Sequence, residues 1–328
     1  MATLVTGGAG YIGAHVVRLL QERGEKVVVV DDLSTGDPSR IGDAPLVVLD
    51  ISKDEAVKIL TETMIDYDVD AVIHFAAQKQ VGVSVKRPAS YFRENIGGMA
   101  NLIKAMYDAG VRNAVFSSSA AVYGQPATEE VSESSPTVPI NPYGQTKLVG
   151  EWLLQDCRVA WGLKFIALRY FNAAGAGWED LADPAALNLI PLVEKALAEG
   201  KTPVVFGDQY PTPDGSCIRD YIHVLDLAGA HLVALDALRS GEVQDGVFNV
   251  GTGRGSSVLE VLDAVRTASG QDFEAAVVEP RAGDPAVLVA DSSAIEDALG
   301  WRATLGLSDI VQSSWDSRGA AGRAAADS

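Results

Sequence analysis

The sequence predicts an α/β protein, with a Rossmann-type, doubly wound parallel sheet and a smaller C-terminal α/β lobe. Short apolar runs rich in β-branched residues alternate with stretches of helical spacing, and a glycine-rich turn follows the first run. Runs that are apolar at consecutive positions are typical of strands buried on both faces of a parallel sheet. Six runs are predicted to be such strands: residues 4–6, 27–30, 46–49, 71–75, 114–117 and 165–168.

The first strand, the turn after it and the first helix begin a βαβ unit. The turn lies in "TLVTGGAGYIG", residues 3–13, where Gly7, Gly10 and Gly13 are three residues apart. Glycines let the chain turn sharply and approach a pyrophosphate closely, while the N–H groups and dipole of the following helix attract the anion. Residues 14–21 have helical spacing, and the pattern stops near Gly24. The turn is a candidate dinucleotide site, although an ordinary turn also fits this spacing.

The second strand ends in Asp31, about 20 residues after the glycine turn. A carboxylate at this position can accept both ribose hydroxyls of NAD and repel the 2′-phosphate of NADP. The sequence therefore favours NAD as the cofactor. Asp32 follows directly, so the choice between the two residues stays open, and a solvated aspartate at a strand end is the alternative.

Serines follow the fifth strand, in "FSSSAAVYG". Ser119 lies just past the strand, at the carboxyl edge where doubly wound sheets bind ligands. A hydroxyl there can relay a proton or stabilise a developing oxyanion. Alternatively, Ser117 to Ser119 only cap the next element.

The stretch "NPYGQTK" predicts a helix that carries a catalytic pair. Asn141 is a good N-cap and Pro142 suits the first helical position, which places Tyr143 in the first turn and Lys147 one turn later. Side chains at i and i+4 share one helix face. A nearby ammonium and the helix dipole lower a phenol pKa from about 10, so Tyr143 is a candidate general base. A solvated helix face is the alternative.

The second half of the chain is organised differently. Alternation of strands and helices weakens after Asn172, although "SSVLEVLDAVRTA" predicts a helix that begins with Ser257 and Glu260 at capping-box spacing. A chain of 328 residues exceeds one comfortable core, so about two lobes are expected. We assign residues 1–171 to the dinucleotide-binding domain, to which 217–250 return, 172–315 mainly to a second lobe, and 316–328 to a frayed tail.

Composition excludes several classes of partner. The formal net charge is −18 at pH 7 and the sequence pI is near 4.5, which argues against nucleic acid and anionic membranes. No run approaches the length of a membrane span, and the N-terminus lacks the basic region of a signal peptide. Cys157 and Cys217 are too few for a disulfide framework, so we expect a cytoplasmic location. The histidines are scattered without ligand spacing, and no metal site is predicted: His15, His74, His223 and His231.

Six motifs, in this order, are similar to those of the extended short-chain dehydrogenase/reductase family. They are "TGGAGYIGAH", "HFAAQKQVGVSV", "FSSSAAVYG", "NPYGQTK", "LRYFNAAGA" and "RDYIHVLDLA". Within that family the chain closely resembles the UDP-glucose 4-epimerases (UDP-galactose 4-epimerases), from residue 1 to about 315. The resemblance implies a seven-stranded parallel sheet that holds NAD, a smaller lobe that closes over a UDP-hexose, and a homodimer formed through helices near residues 91–109 and 143–160.

The resemblance also implies site residues. The catalytic set would be Ser119, Tyr143 and Lys147. NAD would be bound by Gly7, Gly10, Tyr11, Ile12, Gly13, Asp31, Asp50, Ile51, Phe75, Ala76, Ala77, Lys79, Asn95, Ser117, Tyr143, Lys147 and Tyr170. The UDP-hexose would contact Ser119, Tyr143, Asn172, Asn188, Leu189, Phe206, Arg219, Arg281, Asp284 and Leu288. Independently of the family, the forked guanidinium groups of Arg219 and Arg281 suit a diphosphate, although either could form a surface ion pair instead.

The reaction implied is an oxidation at C4 of the sugar followed by its reversal on the opposite face. Ionised Tyr143 takes the 4-hydroxyl proton while hydride leaves C4 for the nicotinamide, and the 4-keto sugar then turns and receives the hydride back. This turn requires that binding energy reside in the UDP rather than in the sugar hydroxyls.

Two features bear on the substrate. Leu288 occupies a position where enzymes restricted to UDP-glucose and UDP-galactose resemble one another in having a bulky Tyr, so we expect this chain to accept N-acetylated hexoses as well. The segment from 173 to 191, which contains Asn188 and Leu189, is shorter than the corresponding loop of the bacterial enzymes that the chain resembles.

Other activities on the same scaffold are alternatives. Ala120 and Ala121 stand where nucleotide-sugar dehydratases and decarboxylases have acidic residues, which disfavours elimination. A UDP-glucuronate 4-epimerase stays open as an alternative. A non-catalytic NAD-sensing protein would be expected to lack the Tyr143 and Lys147 pair.

Overall fold

The computed structural model of the protein describes residues 1–185, 187–281 and 284–326. The strands are β1 (Ala2–Thr6), β2 (Lys26–Asp31), β3 (Leu46–Val48), β4 (Val69–His74), β5 (Asn113–Ser117), β6 (Glu130–Val131), β7 (Lys164–Tyr170), β8 (Asn172–Ala174), β9 (Val204–Phe206), β10 (Ile218–His223), β11 (Asp245–Val250), β12 (Gly255–Ser257), β13 (Ala276–Val278) and β14 (Val287–Ala290).

The α-helices are α1 (Tyr11–Glu22), α2 (Ala56–Asp66), α3 (Val81–Lys86), α4 (Pro88–Tyr91), α5 (Gly98–Ala109), α6 (Pro142–Trp161), α7 (Leu189–Ala198), α8 (Val224–Ser240), α9 (Val258–Ser269), α10 (Ser293–Leu299) and α11 (Leu307–Ala326). A π-helix spans Phe92–Gly97, and 3₁₀ turns span Pro38–Ile41, Ala120–Tyr123 and Glu179–Leu181. The helix α11 covers most of the predicted tail 316–328, whose last two residues lie outside the described residues.

The chain divides into two compact units. The first comprises Met1–Gly124, Thr137–Arg169 and Ala228–Phe248, and the second comprises Gln125–Pro136, Tyr170–Leu227 and the chain from Asn249 onward.

The first unit is built on a seven-stranded sheet in the order β11-β7-β5-β4-β1-β2-β3. The pairs between β7 and β3 along this order are all parallel. All six predicted strands are present, with ends that differ by no more than two residues, because their apolar runs are long enough to fill a buried sheet. The Rossmann-type fold class is confirmed. The strand order reverses between β1 and β4, and ligands bind beyond the carboxyl ends of strands at such a point.

The core of the first unit lies between this sheet and amphipathic helices. One large cluster joins strand residues such as Leu4 and Val72 to Leu60 of α2, Leu102 of α5 and Leu154 of α6. Each of these side chains is at most 2% exposed, so the sheet that supports the site is rigidly packed.

The second unit has a smaller sheet in the order β12-β10-β14-β6, in which β8 also pairs with β10. A two-stranded sheet joins β9 to β13. The apolar stripe of α9 packs with residues of α7 and α11. The predicted capping box is confirmed, because the Ser257 hydroxyl accepts from the Glu260 N–H and the Glu260 carboxylate accepts from the Ser257 N–H.

Candidate active site

The N-terminus of α6 brings the predicted catalytic pair to the carboxyl edge of the sheet. Asn141 caps the helix by accepting from the Gly144 N–H at 2.9 Å, and Pro142 occupies the first turn, as predicted. A Cβ on Gly144 would lie 2.5 Å from the Ala121 carbonyl oxygen, so only glycine allows the helix to approach the turn after Ser119 this closely. Tyr143 is buried in this first turn.

Lys147 lies one turn further along α6 and is 4% exposed. Its Nζ donates to the Ser117 carbonyl oxygen at 2.7 Å and lies 5.9 Å from the centre of the Tyr143 ring. Burial lowers the pKa of Lys147 to about 7, and the nearby carboxylate of Glu151 acts in the opposite direction. An ammonium in this dry environment interacts strongly with a phenolate, which is the chemistry expected of a general base.

Ser119 begins the 3₁₀ turn that follows β5. Its Oγ accepts from the Ala121 N–H at 3.1 Å, and it is buried. A serine hydroxyl that accepts one hydrogen bond can still donate its own proton. The first unit therefore places Ser119, Tyr143 and Lys147 around one turn at the end of β5.

The glycine turn has a tightly packed side, at Gly13, and an open side, at Gly10. A Cβ on Gly13 would lie 2.2 Å from the Gly7 carbonyl oxygen, so the close contact between turn and helix requires glycine there. A Cβ on Gly10, by contrast, would meet only the Gly7 carbonyl oxygen, at 3.3 Å. That open face, together with the N-terminus of α1, fits a pyrophosphate brought close to the backbone.

Asp31 is the aspartate that faces this turn. Its carboxylate accepts from the Ala9 N–H at 3.0 Å and from the Leu33 N–H at 2.9 Å. Burial raises the pKa of Asp31, and these two hydrogen bonds oppose the shift. Asp32 is exposed and accepts only from Ser34 among the hydrogen bonds described. With the glycine turn, Asp31 gives this edge of the sheet a donor and acceptor set that fits NAD.

Other residues predicted to bind NAD surround the same sheet edge. Phe75, Ala76 and Ala77 follow β4, and the Ala76 N–H would be only 2.7 Å from a Cβ on Gly7. Lys79 is exposed in the loop beyond them. Tyr11, Ile12, Asp50, Ile51 and Ser117 lie in the first unit as well, in α1, in the segment after β3 and at the end of β5, whereas Tyr170 groups with the second unit.

Asn95 holds a loop through its side chain. Its Oδ1 accepts from the Gln78 N–H, and its Nδ2 donates to the Gln78 carbonyl oxygen and to Thr146 Oγ1. Both amide hydrogens of Asn95 are thus donated within the protein. One is bound by the loop that carries Lys79. The other is bound by Thr146, whose hydroxyl donates to the carbonyl oxygen of Tyr143. A direct contact between Asn95 and NAD stays a prediction.

In the second unit, β10 gathers several residues predicted to bind the UDP-hexose. Arg219 on β10 pairs in register with Leu288 on β14, and its Nη2 lies 3.8 Å from Asp284 Oδ1. Asn172 on β8 pairs with Tyr221 on the same strand.

The four remaining residues predicted to bind the UDP-hexose, Asn188, Leu189, Phe206 and Arg281, also belong to the second unit. Asn188, at the N-terminus of α7 and directly before Leu189, donates to the Ala173 carbonyl oxygen at 3.4 Å. The Arg281 guanidinium lies 3.9 Å from the centre of the Phe206 ring. Residues 207–210 and 277–280, which adjoin this pair in the sequence, line a cavity of about 430 Å³.

Sequence reasoning missed a buried ion pair beside the catalytic set. Arg169 Nε and Nη2 donate to the two carboxylate oxygens of Glu151 at 2.9 and 2.6 Å. One signal was present, because Glu151 stands four residues after Lys147 and hence on the same face of α6. The other partner, Arg169, comes from β7 and carries no local pattern.

Three of the four histidines, His15, His74 and His223, form hydrogen bonds within the protein. His74 Nδ1 pairs with Thr6 Oγ1 at 2.6 Å, and His223 Nε2 pairs with Ser313 Oγ at 3.0 Å. Within residues 1–185, 187–281 and 284–326, no group of three or more His, Cys, Asp or Glu is placed to hold a metal ion. No helix in the same part of the chain is long and apolar enough to cross a membrane.

Comparison with known proteins identifies the family. The model of the NAD dependent epimerase/dehydratase family matches residues 3–251. A UDP-glucose 4-epimerase from Halalkalibacterium halodurans is 44% identical over 323 residues, which cover 96% of this chain and 95% of the relative.

Solved structures agree. A crystal structure of UDP-glucose-4-epimerase from Stenotrophomonas maltophila, with bound NAD and formylated UDP-arabinopyranose, is 43% identical, with a TM-score of 0.93 and coverage of 99% of both chains. The UDP-Glc/GlcNAc 4-epimerase from Campylobacter jejuni is 39% identical, with a TM-score of 0.85 and coverage of 97% of this chain and 99% of that one. The resemblance inferred from the motifs is therefore confirmed, and the chain belongs to the NAD dependent epimerase/dehydratase family.

Proposed function

We propose that this protein is an NAD-dependent 4-epimerase that interconverts UDP-glucose and UDP-galactose through a transient 4-keto sugar. The observation that carries the proposal is the grouping of Tyr143, Lys147 and Ser119 at the carboxyl end of β5, in the unit that holds the glycine turn. The relatives named UDP-glucose 4-epimerase, matched over nearly the whole chain, support the same activity.

Tyr143 acts as the general base and takes the proton from the 4-hydroxyl oxygen of the sugar. Lys147 stabilises the ionised phenol, since its ammonium lies near the ring in a dry environment. Ser119 donates to the same sugar oxygen and stabilises the charge that develops there. When bound, NAD would supply reversible hydride transfer to and from C4 of the sugar.

The residues proposed to hold NAD are those of the glycine turn, with Asp31 on the adenine ribose. The pyrophosphate lies against Gly10 and the first turn of α1, where a Cβ would otherwise stand. Lys79 and Asn95 serve the phosphates or riboses, the latter through the loop that its amide holds.

The UDP moiety is proposed to bind in the second unit. Arg219 and Arg281 bind the diphosphate, because a guanidinium can bond phosphate oxygens in a bidentate manner. Phe206 and Asp284 contact the nucleoside end, beside the two arginines with which they already interact. With the binding energy concentrated on the nucleotide, the sugar keeps the freedom to turn between the two hydride transfers.

The decisive experiment is to incubate the purified protein with UDP-galactose, without added cofactor, and to identify the sugar nucleotides formed. We expect UDP-glucose to appear until equilibrium is reached, with no net oxidation of the sugar. Absence of conversion, even after NAD is supplied, would refute the proposed activity.

We further propose that the enzyme accepts N-acetylated hexoses. Leu288 is less bulky than a tyrosine and leaves room beside the C2 substituent, and the relative from Campylobacter jejuni is a UDP-Glc/GlcNAc 4-epimerase. Incubation with UDP-GlcNAc and with UDP-glucuronate, compared with UDP-glucose, tests both this proposal and the glucuronate alternative. Turnover of UDP-glucose alone would reject both.

A cytoplasmic homodimer is the proposed working form. Large apolar side chains on the first unit are exposed, among them Val85, Tyr107, Trp152 and Val159 on α3, α5 and α6, and a second copy of the chain would cover them. Both cysteines are free thiols, which suits a reducing compartment. Sedimentation equilibrium tests the assembly, and a monomer at micromolar concentration would refute it.

A further inference from the structure

The buried pair of Glu151 and Arg169 has a position that its contribution to stability does not explain. Both side chains are less than 10% exposed, and the carboxylate and guanidinium meet in a two-point, bidentate geometry. Burying such a pair costs desolvation that its attraction only roughly offsets, so stability alone is weak reason to keep it. Its neighbours indicate another role.

The pair contacts the catalytic turn on both sides of Ser119. Before it, the Ser118 hydroxyl donates to Glu151 Oε1 at 2.5 Å. After it, Arg169 Nη1 donates to the Tyr123 hydroxyl at 3.1 Å, at the end of the 3₁₀ turn that Ser119 begins. The ion pair therefore fixes the ends of a short segment that has Ser119 inside it.

The same carboxylate also lies next to Lys147 along α6. Lys147 Nζ donates to the carbonyl oxygen of Ser117, so α6 holds the serine segment at two successive residues, through Lys147 and through Glu151. The titratable groups that face Lys147 are Tyr143 and Glu151 on its own helix and His74 on β4. Burial lowers the pKa of His74 to about 3, so that this ring is neutral and Glu151 is the nearby anion.

We propose that Glu151 and Arg169 are positioning residues for the reaction proposed above: their ion pair holds the backbone around Ser119 in place, and the Glu151 carboxylate keeps Lys147 charged. Neither residue touches the sugar. The inference rests on the proposed function, because it assigns the pair a task in that proton transfer.

A matched control exists in the same unit. Arg239 makes an equally bidentate pair with Asp70, with Nε and Nη2 donating to the two carboxylate oxygens at 2.8 Å each. Asp70 lies on β4 at the amino end of the sheet, away from the carboxyl ends that carry the site. Asp70→Asn thus breaks a bidentate pair of the same geometry without touching the catalytic turn, while Arg239 keeps the Glu25 carboxylate as a second partner at 2.7 Å.

The experiment compares Glu151→Gln, Glu151→Asp and Asp70→Asn in the purified full chain that carries its NAD, by kcat and KM for UDP-galactose between pH 6 and 10. For Glu151→Gln we expect kcat to fall about 10- to 100-fold, since small misplacements of catalytic groups cost this much. KM should stay within about twofold, because the UDP anchors lie elsewhere. The loss of activity on the alkaline side should move to lower pH, because Lys147 loses its stabilising anion.

Glu151→Asp keeps the negative charge. It should therefore have a higher kcat than Glu151→Gln, and its kcat should decline at the same alkaline pH as that of the wild type. Asp70→Asn should lower the melting temperature while kcat and the pH profile stay as in the wild type. A merely structural pair would make Glu151→Gln behave like Asp70→Asn, and that result would overturn the inference.

Glu151→Gln leaves the Arg169 charge buried without its partner, so two further variants guard against a failure to fold. The double variant Glu151→Gln with Arg169→Gln removes both charges, and Ser118→Ala removes one hydrogen bond and leaves the pair intact. We expect both variants to fold and to have a reduced kcat. In the double variant the alkaline decline in kcat should occur at the same lowered pH as in Glu151→Gln. Wild-type kcat in both would overturn the inference, whereas a wild-type protein that converts no UDP-galactose would refute the proposed function instead.

Discussion

The two units differ in how they present the charged side chains of the proposed site. In the first unit, Lys147, Glu151 and Arg169 are each less than 10% exposed and are bound by short hydrogen bonds to fixed partners. In the second unit, Arg281 is exposed, and the side chain of Asp284 is 38% exposed and 3.8 Å from Arg219. Groups that transfer a proton must be held in a fixed position away from water. Groups that bind a diphosphate from solution must be accessible to solvent and able to adjust their positions. The difference predicts that substitutions in the first unit reduce kcat and substitutions in the second raise KM.

The largest effect is expected at the proposed base. Tyr143→Phe should lower kcat about a thousandfold with little change in KM, because it removes the group that takes the proton and nothing that binds UDP. Steady-state kinetics with UDP-galactose measures both parameters. The control is Tyr67→Phe, which alters an exposed tyrosine just after α2 and should leave both unchanged. A wild-type kcat in Tyr143→Phe would show that the first unit does not carry the proton transfer, contrary to the proposed division between the two units.

A smaller effect of the opposite kind is expected in the second unit. Arg281→Ala should raise KM for UDP-galactose about 10- to 100-fold, the range for losing a hydrogen bond to a charged group, while kcat changes little. UDP binding by titration calorimetry should weaken by the same factor. Arg254→Ala, an exposed arginine of the same unit, serves as the control. If Arg281→Ala instead lowered kcat with KM unchanged, the second unit would take part in the chemistry.

Substrate choice should change by roughly one order of magnitude at a single position. Leu288→Tyr should reduce kcat/KM for UDP-GlcNAc about 10-fold or more, since a bulkier side chain fills the space proposed for the N-acetyl group. Turnover of UDP-glucose should be retained, which provides the internal control. An equal loss with both substrates would show that Leu288 affects the strand rather than the sugar pocket.

The smallest effect concerns stability in the second unit, where the carboxyl of Glu194 is buried. Glu194 on α7 is 1% exposed and lies 3.6 Å from Arg318 Nη1, and burial outweighs this ion pair and raises its pKa from 4.5 to about 7. The folded state therefore binds more protons than the unfolded state between these pH values, and stability falls as the pH rises from 4.5 to 7. Glu194→Gln should gain about 3 kcal/mol relative to the wild type at pH 8 and nothing below pH 4.5.

Urea unfolding at several pH values measures this difference. Glu199→Gln, at the exposed end of the same helix, should keep the wild-type pH dependence between pH 4.5 and 8, because contact with Lys201 lowers the pKa of Glu199 and its titration falls below this range. A pH dependence unchanged in Glu194→Gln would mean that the carboxylate is ionised in its buried site.

The first unit was the more predictable part of the fold, for a physical reason. Its strands are continuous apolar runs, and its helices carry local signals such as the Asn141 cap and the spacing of Tyr143 and Lys147. In the second unit, β6 has two residues and β8, β9, β12 and β13 have three each. Strands this short have no periodicity to detect, and their order in the sheet depends on partners far away in the sequence.

The residues of the candidate site also differ in how far the sequence predicts their roles. The catalytic pair and the glycine turn follow from local spacing, which the sequence contains. The Glu151 and Arg169 pair joins a helix to a strand, and the amide of Asn95 is taken up by Gln78 and Thr146, so both roles depend on tertiary contacts. Family motifs can single out Asn95, yet they cannot say whether its amide reaches a ligand or holds a loop.

The register between β10 and β14 has a consequence for evolution. Arg219 and Leu288 are Cα partners on adjacent parallel strands, so the position proposed to grip the nucleotide and the position proposed to sense the sugar are neighbours with separate backbones. A substitution at residue 288 can then widen or narrow the substrate range of the enzyme, while the binding of the UDP moiety, which all its substrates share, is unchanged. Specialists and generalists can arise from one ancestor without passing through an inactive intermediate.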